Sequence, residues 1–143
     1  MFLVDTNVVS ERRKGPKADP GVVDFIGRTE HELFLPVQVI GELRSGIESV
    51  KLRGDQTQAL RLEEWFHGIV EEYSLRILDF DLQCAKTWGT LMGVNGQHIV
   101  DRQIAAIALV YDLTVVTRNT GHFAGTGVRL LNPFLSFSSK PAS

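Results

Sequence analysis

The chain has 143 residues, of which 43% are hydrophobic and 22% are charged, a size and composition typical of one compact globular domain. Its 15 Lys and Arg against 17 Asp and Glu give a net charge of -2, which argues against a module that only binds nucleic acid. A single cysteine, Cys84, excludes an intrachain disulfide, and there is no apolar run long enough to span a membrane, so we expect a cytoplasmic protein.

The N-terminal segment indicates a strand that leads directly into a helix. Residues 2 to 4 form a short apolar run of β character, and residues 5 to 7, Asp-Thr-Asn, are of types that cap helices. A second helical pattern extends to Ile26, with Asp19 suited to the N-cap and Pro20 to the first helical position.

The middle of the chain indicates a second strand followed by two long helices. Residues 33 to 35 form the strand, and Pro36 ends it ahead of a helix from about residue 37 to 53 with apolar residues at three- and four-residue spacing. Gly54 ends that helix. Asp55 is suited to cap the next one, which has a broad apolar face.

The C-terminal half continues the alternation of strands and helices. We predict helices over residues 82 to 92, ending near Gly93, and 99 to 111, and strands over residues 76 to 78, 113 to 116 and 128 to 131. Short unbroken apolar strands that alternate with helices are typical of a parallel sheet covered on both faces. We therefore predict an α/β fold, a three-layer α/β/α sandwich over residues 1 to 134, with a C-terminal tail over residues 135 to 143.

Polar residues follow two of the predicted strands. Asp5 comes directly after the first strand, and Thr117, Arg118 and Asn119 come directly after the fourth. Ligands of open parallel sheets bind at the carboxyl ends of the strands, where the strand order reverses. If the two strands are neighbours, these residues therefore meet in one crevice.

Two further acids interrupt otherwise apolar helices. Glu42 lies near Ile40 and Leu43, and Asp101 opens an Ala-rich helix. An isolated carboxylate in apolar surroundings needs a partner, because an unpaired buried charge is costly. With Asp5 they provide the oxygen ligands that Mg²⁺ prefers, and such a site suits phosphodiester hydrolysis.

Each acid also has a purely structural interpretation. Asp5 is equally well explained as an ordinary helix N-cap. Glu42 could be a surface residue of a two-faced helix, and Asp101 a favourable anion in a first helical turn. The functional interpretation depends on the three acids occurring together.

Four sequence blocks together resemble one known family, the VapC and FitB branch of PIN-domain proteins. The blocks are Leu3-Val4-Asp5-Thr6-Asn7-Val8, Gly41-Glu42-Leu43-Arg44-Ser45-Gly46, Asp101-Arg102-Gln103-Ile104-Ala105-Ala106-Ile107-Ala108 and Val116-Thr117-Arg118-Asn119-Thr120-Gly121-His122-Phe123. They match in order, and the resemblance spans about residues 1 to 134. It implies a five-stranded, mainly parallel sheet of order 3-2-1-4-5.

The resemblance also implies a function and partners. A member of this branch is expected to be a Mg²⁺- or Mn²⁺-dependent ribonuclease, a homodimer and the toxin of a type II toxin-antitoxin pair. Its partner is expected to be a VapB- or FitA-like antitoxin whose C-terminal segment covers the active site and whose N-terminal part binds DNA. The alternative is a PIN-fold protein with weak catalysis that acts as a binding or regulatory subunit. No motif identifies the RNA that is cleaved.

The resemblance assigns the site residues. Asp5, Glu42 and Asp101 match the first three family acids and are expected to hold the metal. Thr117 is expected to orient a water molecule. Asn119 stands where FitB-like relatives have a fourth acid, and His122 stands where other relatives have Asp or Glu just before the Phe.

Three further residues have open interpretations. Thr6 could help Thr117 to orient water, and Arg118 could meet the substrate phosphate or the antitoxin. His122 could be a metal ligand or a proton-transfer group, although a partly exposed loop histidine is the simpler interpretation.

Other enzyme classes fit the sequence poorly. Phosphatases of the haloacid-dehalogenase type need a second Asp two residues after the first, where this chain has Asn7, and there is no Gly-rich phosphate loop. His31, His67 and His98 lack the spacing of common zinc motifs, so the sequence does not support a zinc site.

Overall fold

The computed structural model describes residues 1–134, and the tail predicted at residues 135 to 143 lies outside the described residues. Within the described part, five parallel strands form one sheet of order β3-β2-β1-β4-β5, which confirms the expected order. The strands are β1 (Phe2–Val4), β2 (Leu33–Pro36), β3 (Ile77–Leu78), β4 (Thr114–Val116) and β5 (Leu130–Leu131). The strand order reverses at β1, so the carboxyl ends of β1 and β4 form the crevice where ligands of such sheets bind.

Helices cover both faces of this sheet and confirm the three-layer sandwich. The described residues form six α-helices: α1 (Thr6–Arg12), α2 (Pro20–Thr29), α3 (Val37–Leu52), α4 (Gln56–Glu72), α5 (Leu82–Val94) and α6 (Ile99–Tyr111). One buried cluster packs α1 to α4 against the sheet, and a second packs α5 and α6 against it. None of these helices is long and apolar enough to cross a membrane.

Three of the six described helices begin at the predicted capping residues. Asp5 accepts a hydrogen bond from the Thr6 amide, and Asp19 accepts from the first turn of α2, with Pro20 at its first position. Asp55 likewise caps α4. These side chains satisfy amide groups that the first turn of a helix leaves without a partner.

The boundaries of several elements differ from the prediction by one to three residues: α2 extends to Thr29, β2 includes Pro36, β3 begins at Ile77 and β4 begins at Thr114. We expected the helix after residue 82 to end near Gly93, but α5 continues through it to Val94. One glycine in a helix costs only about 1 kcal/mol relative to alanine. The last strand is Leu130–Leu131 rather than residues 128 to 131, and Gly127, which precedes that range, has a φ of 79° that no regular strand adopts.

Candidate functional site

The carboxyl ends of β1 and β4 bring two predicted site residues together. Val4 and Val116 are partners in the parallel register, so Asp5 and Thr117 follow adjacent strand ends. The Thr117 Oγ1 hydroxyl donates a hydrogen bond of 2.8 Å to Asp5 Oδ2. The two residues are 112 positions apart in the sequence, and the strand pairing alone places them in contact.

Thr117 joins three polar groups at this edge. Its side chain is fully buried, and its hydroxyl oxygen accepts hydrogen bonds from Asn7 Nδ2 at 3.1 Å and from the Asn119 amide at 3.0 Å. Asn7 also lies 3.4 Å from Asp5 Oδ2 and accepts a bond from the Arg118 amide. Sequence reasoning did not assign Asn7 a role, although its place in the Asp-Thr-Asn block was visible.

Asp5 is a buried carboxylate whose surroundings disfavour the ionised form. It is 4% exposed, and burial raises its pKa above the ordinary value of 3.8 against the opposing effect of the Thr117 and Thr6 hydrogen bonds. The charges of Asp101 and Glu42 raise the pKa of Asp5 further. A bound cation would relieve the cost of keeping Asp5 ionised.

This pKa shift predicts the pH dependence of stability in the metal-free protein. The folded chain binds the Asp5 proton more tightly than the unfolded chain does, so protonation of Asp5 stabilises the fold. This contribution to the unfolding free energy is fully present below pH 3.8 and is lost as the pH rises through the raised pKa. We expect the unfolding free energy of wild type, relative to Asp5→Asn, to fall with rising pH in this window. Urea unfolding of both chains at several pH values, in the presence of a chelator, measures the difference. A difference that rises with pH would contradict the prediction.

Glu42 reaches the crevice from α3. Glu42 Oε1 accepts a 2.8 Å hydrogen bond from the Thr6 hydroxyl, next to Asp5 in the chain. Glu42 is exposed, so the expectation that it lies in apolar surroundings is wrong. The helix turns its apolar neighbour Leu43 inward and leaves Glu42 at the rim.

Asp101 reaches the crevice from the first turn of α6. Its side chain is 22% exposed, and Oδ2 lies 3.1 Å from His122 Nδ1. Within residues 1–134, the atoms of Asp5, Glu42 and Asp101 do not form a group within 4.8 Å of one another, whereas those of His98, Asp101 and His122 do. Three like charges repel, so a looser arrangement is expected before a cation holds them.

The position of the fourth family acid carries no negative charge. Asn119 is exposed, and its backbone amide donates a hydrogen bond to the Thr117 hydroxyl oxygen. Arg118 is also exposed, and its guanidinium group lies 3.8 Å from the centre of the Phe134 ring. Arg118 therefore presents a cation beside the crevice.

A groove adjoins the acids on the side of α1, α3 and α4. It encloses about 310 Å³ and includes Thr6, Glu42, Arg13 and Trp65 in its lining. The Arg13 guanidinium lies over the Trp65 ring, 5.6 Å from its centre. The groove thus continues from the acidic site to a cation and an aromatic ring.

Several of the basic residues that the sequence offers are paired with acids. Arg12 pairs with Glu72 at 2.9 Å, and both Arg44 and Lys51 pair with Glu63. The positive charge of these three side chains is therefore locally neutralised.

The donor set of the crevice fits a hard divalent cation. Asp5, Glu42 and Asp101 offer only carboxylate oxygens, which Mg²⁺ and Mn²⁺ accept. Burial, and to a smaller extent the charges of Asp101 and Glu42, raises the pKa of Asp5, and a bound cation would favour its ionised form. The three carboxylates are therefore the residues that would hold such a cation.

Sequence comparisons show which known proteins this chain resembles. The PIN domain family model matches residues 2–127. Three curated relatives each align with 94% of this chain: plasmid stability protein StbB of Pseudomonas syringae pv. tomato (36% identical, 99% of its length), toxin FitB of Neisseria gonorrhoeae (34%, 99%) and VapC ribonuclease Y4jK of Sinorhizobium fredii (31%, 98%).

Solved structures share the fold over nearly the whole chain. FitAcB from Neisseria gonorrhoeae matches with a TM-score of 0.77 and 32% identity, over 93% of this chain and 98% of that one. FitAB bound to an IR36 DNA fragment matches with a TM-score of 0.70 and 27% identity, over 94% and 96% of the two chains. The resemblance inferred from the four sequence blocks is confirmed.

Proposed function

Since this chain belongs to the PIN-domain family, we propose that it is a Mg²⁺- or Mn²⁺-dependent ribonuclease and the toxin of a type II toxin-antitoxin pair. The observation that supports this most is the buried Asp5 at the carboxyl end of β1, with Glu42 bonded to the adjacent Thr6 and Asp101 in the first turn of α6. The relatives named toxin FitB and VapC ribonuclease agree with this function.

Asp5, Glu42 and Asp101 would hold the cation. When bound, the cation polarises a water molecule and neutralises charge that develops on the phosphate. The protein's part is to keep three carboxylates ionised and correctly oriented. Asp5 is the central ligand in this scheme, because it is the most buried of the three.

Neighbouring hydroxyl groups orient two of these ligands. The Thr117 hydroxyl donates to Asp5 Oδ2, the Thr6 backbone amide donates to Asp5 Oδ1, and the Thr6 hydroxyl donates to Glu42 Oε1. Groups that orient metal ligands contribute strongly to affinity and activity. Thr117 and Thr6 therefore act as positioning residues.

Two cations beside the acids are suited to RNA. Arg118 projects at the crevice, and Arg13 forms no ion pair within residues 1–134 and lines the adjoining groove. Phosphate groups of RNA would contact such cations. The substrate proposed is RNA.

The proposed partner is a small antitoxin of the VapB or FitA type, assembled with this chain in a hetero-oligomer in the cytoplasm. The similar FitAB structure contains a DNA fragment, which agrees with a partner that binds operator DNA. A homodimer of the chain is also proposed. Apolar residues exposed on α5 and α6 support it, and they are Leu82, Val94, Ile99, Val100, Leu109 and Tyr111.

The proposed function predicts metal-dependent cleavage of RNA. Purified, antitoxin-free chain is expected to cut structured RNA in Mg²⁺ or Mn²⁺ and to lose that activity when a chelator removes the metal. Readdition of Mg²⁺ should restore cleavage, and sequencing of the cut ends identifies the target. Activity that persists in the chelator would contradict a metal-dependent site.

The alternative is a binding subunit with weak catalysis. Asn119 supports it, because it provides no charge where FitB-like relatives place an acid. Wild-type chain that cleaves no structured RNA in either metal, yet still binds an antitoxin, would favour this alternative.

A further inference from the structure

Two histidines and one acid meet beside the proposed catalytic carboxylates. His98, Asp101 and His122 each offer a ligand atom, and these atoms lie within 4.8 Å of one another. The two imidazole rings are stacked, with centres 4.3 Å apart and planes 15° from parallel. The sequence did not suggest this cluster, because the two histidines lie 24 positions apart and form no known zinc motif.

The fold holds the three residues at one point. His98 is the N-cap of α6 and has a left-handed backbone with φ 53°, and Asp101 follows in the first turn. His122 lies in a 3₁₀ helix, and buried Arg102 donates to its carbonyl oxygen at 3.4 Å. A left-handed conformation is uncommon for His, and here it places His98 against His122.

We propose that His98, Asp101 and His122 form a binding site for one first-row transition-metal ion, such as Zn²⁺. This site lies next to the Mg²⁺ site and shares Asp101 with it. Binding itself does not require nuclease activity, whereas the sharing of Asp101 between two cations rests on the proposed function.

The distances suit a metal ion. Two ligands at about 2.0 to 2.2 Å from an ion lie about 2.8 to 3.1 Å apart at octahedral angles and about 3.3 to 3.6 Å apart at tetrahedral angles. The separation of 3.1 Å between His122 Nδ1 and Asp101 Oδ2 agrees with the octahedral range. A His-Asp hydrogen bond has the same length, so His98 as the third ligand is what distinguishes a metal site. Because the two rings are stacked with nearly parallel planes, their nitrogen lone pairs do not point at one ion, and the exposed His98 side chain must rotate to complete the site.

The ligand types predict which ions bind. Imidazole nitrogens suit Zn²⁺, Co²⁺ and Ni²⁺, and affinity along the first row rises from Mn²⁺ towards Cu²⁺. Mg²⁺ prefers oxygen ligands and retains several waters. Three protein ligands also leave a coordination position open, as in catalytic zinc sites. The cluster should therefore select Zn²⁺ even in excess Mg²⁺.

The position of the cluster gives it a role in this chain. Asn119 lacks the charge of the fourth family acid, and His122 follows it three residues later in the same loop. Two imidazoles with Asp101 would supply a cation site there without a further carboxylate. The chain would thus hold two cations of different chemistry around Asp101.

Calorimetric titration of the full, chelator-treated chain with Zn²⁺ in excess Mg²⁺ tests the site. Wild type is expected to bind one Zn²⁺ per chain, and His98→Asn and His122→Asn should each lower that affinity at least about tenfold. Asn tolerates the left-handed backbone at position 98. His31→Asn, a change at an exposed histidine elsewhere, is the matched control and should bind Zn²⁺ as wild type does.

Imidazole NMR signals provide a second measurement that does not depend on affinity. Zn²⁺ should shift the signals of His98 and His122 and leave those of His31 and His67 in place. Unchanged Zn²⁺ affinity in folded His98→Asn, or loss of binding on adding Mg²⁺, would overturn the proposal.

One variant separates this proposal from the proposed function. Asp5→Asn should lose RNA cleavage but keep Zn²⁺ binding, since Asp5 is not a ligand of the cluster. A wild-type chain that binds Zn²⁺ through His98 but cleaves no RNA would refute the nuclease and support the metal site.

Discussion

Asp5→Asn is expected to lower the rate of RNA cleavage at least about a hundredfold, because a central metal ligand loses its charge and even groups that only orient ligands contribute about 10- to 100-fold. The side chain keeps its size, and its carbonyl oxygen can still accept the bond from the Thr6 amide. The chain should therefore stay folded. Cleavage rates in saturating Mg²⁺, with circular dichroism as the check of folding, measure the effect.

Asp24→Asn is the matched control for this change. Asp24 lies on α2, is 67% exposed and pairs with Arg28, so the same chemical change there should leave cleavage unaltered. If folded Asp5→Asn cleaves RNA as fast as wild type, the assignment of Asp5 as a metal ligand is wrong.

Thr117→Val is expected to reduce both stability and cleavage. The change keeps the shape of the buried side chain but removes the hydroxyl that bonds to Asp5, Asn7 and the Asn119 amide. Leaving a buried polar group without its partner costs about 1 to 3 kcal/mol. Cleavage should fall about 10- to 100-fold, as for other groups that orient a metal ligand.

The same variant should change the pH dependence of cleavage. The Thr117 hydrogen bond lowers the pKa of Asp5 against the larger effect of burial. Its loss raises that pKa further, so a higher pH is needed to ionise Asp5 for metal binding. The acid limb of the rate profile should therefore move to higher pH in Thr117→Val.

Thr29→Val separates a role in the site from a general loss of stability. Thr29 is also buried, and its hydroxyl donates to the Phe25 carbonyl at 2.7 Å within α2. This variant should lose stability but keep the wild-type pH profile. If Thr117→Val also keeps that profile, Thr117 does not position Asp5.

Local sequence signals were sufficient for much of the fold. Apolar runs predicted the strands, and Asp19, Pro20 and Asp55 marked helix starts that the structure confirms. These features depend on residues near one another in the chain, so the pattern alone reveals them. The local pattern did not predict where α5 ends. Packing and the remaining backbone hydrogen bonds outweigh the low helix propensity of Gly93.

The acids themselves were identified from sequence, but their environments were not. Asp5 is buried, Asp101 is partly buried and Glu42 is exposed. Burial depends on the direction in which each helix face points relative to the sheet, and this follows from packing rather than from neighbouring residues.

The sequence by itself determined the alternation of strands and helices and the family resemblance, and it predicts the three acids as metal ligands. Tertiary structure decided the contacts that tune them: the Thr117 hydroxyl on Asp5, the Asn7 bridge between strand ends, and the pairing of His98 with His122. Strand register and helix packing bring these residues together across about 20 to 110 positions, and no local pattern encodes such distances.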